Sequence, residues 1–259
     1  MTASKVVLVT GANQGLGFAV LKVAGSRQSE YTYILASRDL KRGKEAAAAL
    51  REAGVKAIVD VIQLDVTKND EISAAAAYVD EKYGRLDVLI NNAGIIRYPP
   101  PGDLATLRSM YNEILNTNIT SVALVTEAFT PLLYESKDPK VINVSSGLGS
   151  CANSLTKKMG RAPPYGASKI GMNGLTVHLQ VAENDRIEVE GESVDKPRIR
   201  YYACAPGPLR TAFSNFNPIC RPPERGAEVI VHLLADDSHL YEGGSYWEYE
   251  EGEMRRVPW

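Results

Sequence analysis

Cysteine is scarce: Cys151, Cys204 and Cys220 are the only three in 259 residues. An odd, sparse set excludes a disulfide framework and points to reduced thiols in a cytoplasmic protein. Histidine is equally rare. His178, His232 and His239 are scattered, and neither they nor the cysteines have the spacing of a metal site, so no metal centre is expected. An excess of one charge is also missing. The 29 lysines and arginines face 31 acids, a formal net charge of −2. That balance supplies no field for nucleic acid or an anionic membrane. The basic pairs Lys157-Lys158 and Arg255-Arg256 read as solvated surface. No apolar run approaches the ~18–20 residues that span a bilayer. The opening Met1-Thr2-Ala3-Ser4-Lys5-Val6 lacks the apolar stretch of a secretion signal. Asn143-Val144-Ser145 matches a glycosylation sequon, but it falls in an expected buried strand of a protein not expected to be secreted.

What is present is ordinary globular material, 44% hydrophobic and 23% charged, enough for one α/β domain over residues 1–259. Short β-branched runs recur at Val6–Val9, Tyr33–Ala36, Ala57–Gln63, Leu86–Ile90, Val141–Val144 and Arg200–Ala205. They are too short for helices and lack polar alternation, as do strands buried on both faces of a parallel sheet. Helical stretches lie between them at Ala19–Ser26, Gly43–Ala53, Ile72–Tyr83 (stopped by Gly84), Leu107–Tyr134, Tyr165–Ala182 and Glu224–Ala235. This alternation predicts a Rossmann-type, doubly wound parallel sheet with helices on both faces. Two stretches break the rhythm and read as surface loops: the acidic insert at about 183–196, and Arg97–Asp103 with its three prolines. The aromatic, charged tail Tyr246–Trp259 is expected only to pack or to make a dimer contact.

The first strand runs into Thr10-Gly11-Ala12-Asn13-Gln14-Gly15-Leu16-Gly17, and a helix follows. Glycine is needed there where the backbone turns tightly and where it approaches a pyrophosphate. Free amides and the positive end of the helix dipole then face the phosphates. Gly11, Asn13, Gln14, Gly15, Leu16 and Gly17 are thus cofactor-binding candidates. The second strand ends Ala36-Ser37-Arg38-Asp39. A dinucleotide fold places the adenosine ribose there, and arginine in place of an acid selects NADP(H). Ser37 adds a hydroxyl. The alternative is a solvated Arg–Asp turn, with Asp39 countering the charge.

Tyr165 and Lys169, four residues apart, share one face of a helix. A nearby ammonium favours the phenolate and lowers the tyrosine's pKa toward neutrality, which makes the phenol a usable general acid. A serine at the end of the strand Val141–Val144 sits where ligands bind such sheets. Ser145 and Ser146 compete for that role.

The Thr-Gly-x-x-x-Gly-x-Gly loop, Asn91-Asn92-Ala93-Gly94, the Ser145-Ser146 pair, Tyr165-x-x-x-Lys169 and Pro206-Gly207 occur in one order. Together they resemble the short-chain dehydrogenase/reductase family over about Val6 to Ala235. Ala-Ser-Arg-Asp, Leu-Asp-Val-Leu-Ile-Asn-Asn-Ala-Gly-Ile and Val-Ile-Asn-Val-Ser-Ser are closest to the carbonyl reductases. The resemblance implies catalysis by Asn118, Ser146, Tyr165 and Lys169, with Asn118 preferred to Asn116 as the residue holding a water next to the lysine. It implies that Asp65 and Val66 meet the adenine, although Asp65 also suits a helix cap. It implies that Asn92, Ala93 and Gly94 support the cofactor and that Pro206, Gly207 and Thr211 shape the nicotinamide pocket. A substrate loop would span about 207–225. Gln14 stands where many NADP-using relatives have a basic residue, and the 19 residues from Ser146 to Tyr165 are more than the family's usual spacing. The implied activity is NADPH-dependent reduction of a ketone or aldehyde to an alcohol. An alcohol dehydrogenase, a biosynthetic reductase acting on one bulky substrate, and a non-catalytic NADP-binding sensor are the alternatives. The expected partner is a small carbonyl or alcohol, and monomer and homo-oligomer both remain open.

Overall fold

A computed structural model of the chain describes residues 4–98, 102–156, 162–190 and 196–259. Lys157-Lys158, the three prolines of Arg97–Asp103 and residues 191–195 of the acidic insert lie outside them.

Strand β1 (Val6–Thr10) leads into helix α1 (Gly15–Arg27). Next come β2 (Thr32–Ser37), α2 (Leu40–Glu52), β3 (Ile58–Gln63), α3 (Asn69–Tyr83) and β4 (Val88–Asn91). Helices α4 (Leu104–Leu115) and α5 (Ser121–Tyr134) are joined by a π-helical turn, Asn116–Thr120. After β5 (Lys140–Val144) come α6 (Cys151–Thr156), the long α7 (Pro163–Glu190), β6 (Arg200–Ala205), α8 (Pro223–Leu234), β7 (Ser245–Glu250) and β8 (Glu253–Arg256). The strands form one sheet in the order β3-β2-β1-β4-β5-β6-β7-β8, parallel except for β8. The expected doubly wound α/β sheet is therefore present, and its strand order reverses between β1 and β4.

Burial explains why the strand segments carried no polar alternation. In β1, Val7 and Val9 pack on one face with α1 and α8, while Val6 and Leu8 pack on the other with α3 and α5. In β2, Tyr33 and Leu35 divide from Ile34 and Ala36 in the same way. Both faces are covered, so such strands are largely apolar and any polar residue in them needs a buried partner. Gly84 ends α3 in the left-handed conformation, φ +66, and its N–H closes on the Asp80 carbonyl.

Three expectations change. The stretch Leu107–Tyr134 is broken by the π-turn. The first half of the acidic insert is helical, because α7 continues to Glu190. Glu183 is buried there, accepting from the Ile199 amide and the Tyr134 hydroxyl and pairing with Arg186. A carboxylate turned inward to three donors holds those residues in the helix. The third, that the tail packs or makes a dimer contact, becomes specific: β7 and β8 extend the sheet by a parallel and an antiparallel strand.

Buried charge concentrates at the end of the sheet where β5 begins. Lys140 is fully buried, donating to the Leu234 and Asp236 carbonyls and lying 3.3 Å from Asp138. Arg200 and Lys5 pair with the same Asp138. Among the described residues no helix is long and apolar enough to cross a membrane.

Phe129 on α5 is fully buried in the α3–α5 face of the core. Phe129→Ala should lower unfolding free energy by about 3–5 kcal/mol, read from the urea midpoint at unchanged slope. A loss below about 1 kcal/mol would show that this face does not pack as described.

Candidate active site

The site lies at the carboxyl ends of β1, β4, β5 and β6. The loop after β1 can form only with glycine at two positions: Gly11 and Gly15 have φ +62 and +59. Gly17 is required for a different reason. A Cβ there would lie 2.6 Å from Asn92 Nδ2 and 2.8 Å from the Ala12 backbone. Asn92 Nδ2 donates to the carbonyls of Thr10 (2.8 Å) and Gly11 (3.2 Å). Thr10 Oγ1 accepts from the Asn92 and Ala93 amides, each at 3.0 Å. The Asn-Asn-Ala-Gly turn thus clamps the glycine loop from beneath.

A nicotinamide dinucleotide fits this cradle. Gln14 caps α1 in an extended conformation and its side chain makes no capping bond, so the first amides of α1 face outward to accept an anion. Asn13 and Leu16 are half-buried, and Gln14 is exposed. Thr211 approaches from the opposite side, its methyl 3.6 Å from where a Gly15 Cβ would stand. Gly207 has φ +76 and lies under the Arg221 guanidinium, which pairs with Glu250 on β7 at 2.7 Å. Pro206 receives a longer bond from the same guanidinium.

At the end of β2, Asp39 caps α2 through the Arg42 amide and faces the Arg42 guanidinium. It does not counter Arg38, which is exposed and has no ion pair among the described residues. Ser37 departs from expectation. It is fully buried and its hydroxyl is spent on its own turn, donating to the Asp39 carbonyl and accepting from the Asp39 amide. Asp65 does not cap α3, whose cap is Lys68; its carboxylate instead binds the amide and hydroxyl of Thr67. Partial burial opposes ionisation of Asp65, but the Thr67 bonds and the charges of Lys68 and Arg38 hold its pKa below the usual range. Val66 is buried against the core.

Four side chains meet between β5 and α7. Lys169 is buried and its ammonium donates to the Val144 carbonyl at 2.7 Å. It stands 5.6 Å from the ring centre of Tyr165, one turn earlier. Asn118, in the π-turn, is fully buried: Oδ1 accepts from the Ile95 amide, while Nδ2 donates to the Ile95 carbonyl and to Ser168 Oγ. Ser168 Oγ in turn donates to the Tyr165 carbonyl. Both Nδ2 hydrogens of Asn118 are thus committed, while Oδ1 keeps one lone pair. Asn116 is exposed. Ser146 Oγ accepts from the Leu148 amide. It is also the neighbour that favours the Tyr165 phenolate. Ser145 points inward, and its hydroxyl has no partner among the described residues.

The expected lowering of Tyr165 is absent from the protein chain: burial pushes its phenol well above the ordinary value. Burial also pulls Lys169 down to about 7, against a small opposing effect from Cys204. A buried ammonium loses hydration that one carbonyl only partly replaces.

Sequence reading missed a buried polar ladder beside these groups. Asn91 donates to Thr126 Oγ1 and to Asn143 Oδ1, and Asn143 donates to Thr176 Oγ1. Its signal was there, an asparagine in each of two otherwise apolar strands. Among the described residues no cluster of His, Cys, Asp or Glu is placed to hold a metal.

Lys169 carries a stability signature. Its folded pKa lies near 7 and its ordinary value is 10.5, so the unfolded chain binds more protons between those pH values and stability rises with pH across them. Wild type should therefore gain on Lys169→Met as pH rises from about 7 to about 10.5 and hold a constant difference below 7. A difference in melting temperature independent of pH would mean that the ammonium is not buried.

Comparison with known proteins agrees with this geometry. The family model for short chain dehydrogenase matches residues 5–217. A short-chain dehydrogenase/reductase of Aspergillus fumigatus is 55% identical over 260 aligned positions, covering 100% of this chain and 98% of its own. Carbonyl reductase from chicken fatty liver, solved with NADPH bound, superposes with a TM-score of 0.78 at 25% identity, covering 99% of each chain. An actinorhodin polyketide ketoreductase variant, solved with NADPH, superposes with a TM-score of 0.76 at 25% identity, over 96% of this chain and 97% of its own. By its sheet, its glycine loop and its family match, the chain belongs to the short-chain dehydrogenase family of oxidoreductases.

Proposed function

We propose that the protein is an NADPH-dependent reductase that converts a ketone or aldehyde to an alcohol in the cytoplasm. The observation that carries this reading is the meeting of Lys169, Tyr165 and Ser146 at the end of β5, beside the glycine cradle. Gly11, Gly15 and Gly17, with the amides opening α1, would hold the pyrophosphate. Arg38, exposed and unpaired among the described residues, would take the 2′-phosphate that distinguishes NADP from NAD. The two structural relatives solved with NADPH support that preference.

Bound NADPH supplies the hydride. The chain's own residues manage the substrate oxygen. Ser146 Oγ donates a hydrogen bond to it and sets the carbonyl beside the Tyr165 phenol. Tyr165 then gives its proton to that oxygen. A phenol held protonated by burial carries the proton that reduction consumes, and the same residues serve the reverse reaction. Lys169 would hold the ribose next to the phenol. Asn118 ties the loop after β4 to α7 through Ile95 and Ser168, and so keeps Tyr165 in place.

A bulky substrate is favoured by one observation. Exposed Phe213 packs edge-on to Tyr165, ring centres 5.6 Å apart, so apolar surface flanks the phenol.

Consumption of NADPH with a panel of para-nitrobenzaldehyde, aryl methyl ketones and cyclic diketones tests the reading. Tyr165→Phe should lower turnover by ~10²–10⁴, the usual worth of a positioned acid, with cofactor affinity retained. Unchanged turnover would remove Tyr165 from the chemistry, and no protein-dependent consumption with any carbonyl would favour a sensor.

A further inference from the structure

Tyr246 lies on β7, separated from β5 by β6, yet its hydroxyl donates to the Ser146 carbonyl. The residue is fully buried. One face of its ring is covered by the Trp259 indole, with centroids 5.4 Å apart and planes within 20°. The segment that carries Trp259 is bound to the same region twice more. Ser150 Oγ donates to the Pro258 carbonyl at 2.6 Å, and the Ala152 amide donates to the Trp259 carbonyl at 3.2 Å. The Val257 amide closes the arrangement on the Tyr246 carbonyl at 2.8 Å. Residues 257–259 thus bracket both Tyr246 and the stretch that follows Ser146.

The phenol has a use that a phenyl ring would lack. A buried hydroxyl costs free energy unless it is bonded, and this one spends its donor on the backbone of the serine beside Tyr165. The Ser146 carbonyl takes its second bond from the Gly149 amide at 2.7 Å, so both of its lone pairs are engaged. Next to the phenol, Ser145 Oγ and Asn173 Oδ1 are buried without other partners among the described residues. Among the described residues, Tyr246 therefore makes the one bond to the Ser146 backbone from outside the loop.

We propose that Tyr246, braced by Trp259, is a positioning residue for Ser146: by fixing the Ser146 carbonyl it sets where the Ser146 hydroxyl points. This rests on the reading of Ser146 as the group that holds the substrate oxygen. The C-terminal strand pair then contributes to catalysis without touching substrate.

A double-mutant cycle in the full chain tests it, with para-nitrobenzaldehyde and the other carbonyls of the panel as probes. Tyr246→Phe should lower kcat roughly tenfold, the scale on which misplacement acts, with KM for NADPH unchanged. In a Ser146→Ala background the same substitution should cost less than about twofold, because the group it positions is gone. Trp259→Leu, at a half-exposed position that tolerates change, should follow the same pattern more weakly. Hydrogen exchange reads the position without substrate: the Gly149 and Ala152 amides should exchange about tenfold faster in Tyr246→Phe, with β1 and β2 unchanged. Equal kcat losses in both backgrounds, or unchanged exchange at Gly149, overturn the positioning role. If Ser146→Ala alone keeps full turnover, the assignment of Ser146 falls and the positioning role falls with it.

Discussion

An ammonium taken out of water needs a partner, and Lys169 finds one in the carbonyl of Val144, the last residue of β5. That bond, with those of Asn118 to Ser168 and Asn143 to Thr176, docks the first turns of α7 on the end of the central sheet. Tyr165 lies one turn earlier on the same face, so it reaches the loop that carries Ser146 as a consequence. The cost of burial appears in the lowered proton affinity of Lys169 and the raised affinity of Tyr165. Both shifts come from the same exclusion of water.

The remaining polar contacts serve that docking. Asn118 joins the loop after β4 to Ser168 on α7, and Ser168 bonds the Tyr165 backbone. The Asn91–Asn143 bond ties β4 to β5, with threonines from α5 and α7 closing its two ends. Fully satisfied networks of this kind fix one arrangement of a core. The opposite end of the sheet carries its own buried charges around Asp138 and Lys140, so strand starts and strand ends are both held by polar groups while the middle is apolar.

Much of this was legible because the motifs are local. The glycine spacing, Asn91-Asn92-Ala93-Gly94 and Tyr165-x-x-x-Lys169 each act within one turn or loop, and strands buried on both faces announce themselves as apolar runs. What escaped reading depends on distant partners. Nothing near Tyr246 in the chain says that its hydroxyl meets Ser146, since β6 must first be placed between them. The acidic stretch from Glu183 looks solvated until Tyr134 and the Ile199 amide come from other elements to meet it. Ser37 beside an arginine suits a phosphate in the sequence, while in the fold its hydroxyl donates two residues away. The Tyr165 shift was read from its lysine neighbour alone, and burial proved the larger effect.

The proposed function rests on NADP(H) binding by the cradle at the end of β1 and the exposed guanidinium of Arg38. Titration calorimetry of the purified protein with NADPH and with NADH, repeated on Arg38→Ala, tests it most directly. NADPH should bind at least about tenfold tighter than NADH, a difference of about 1.4 kcal/mol, and the variant should lose that preference. Binding of neither cofactor would remove the dinucleotide from the cradle and overturn the proposed function.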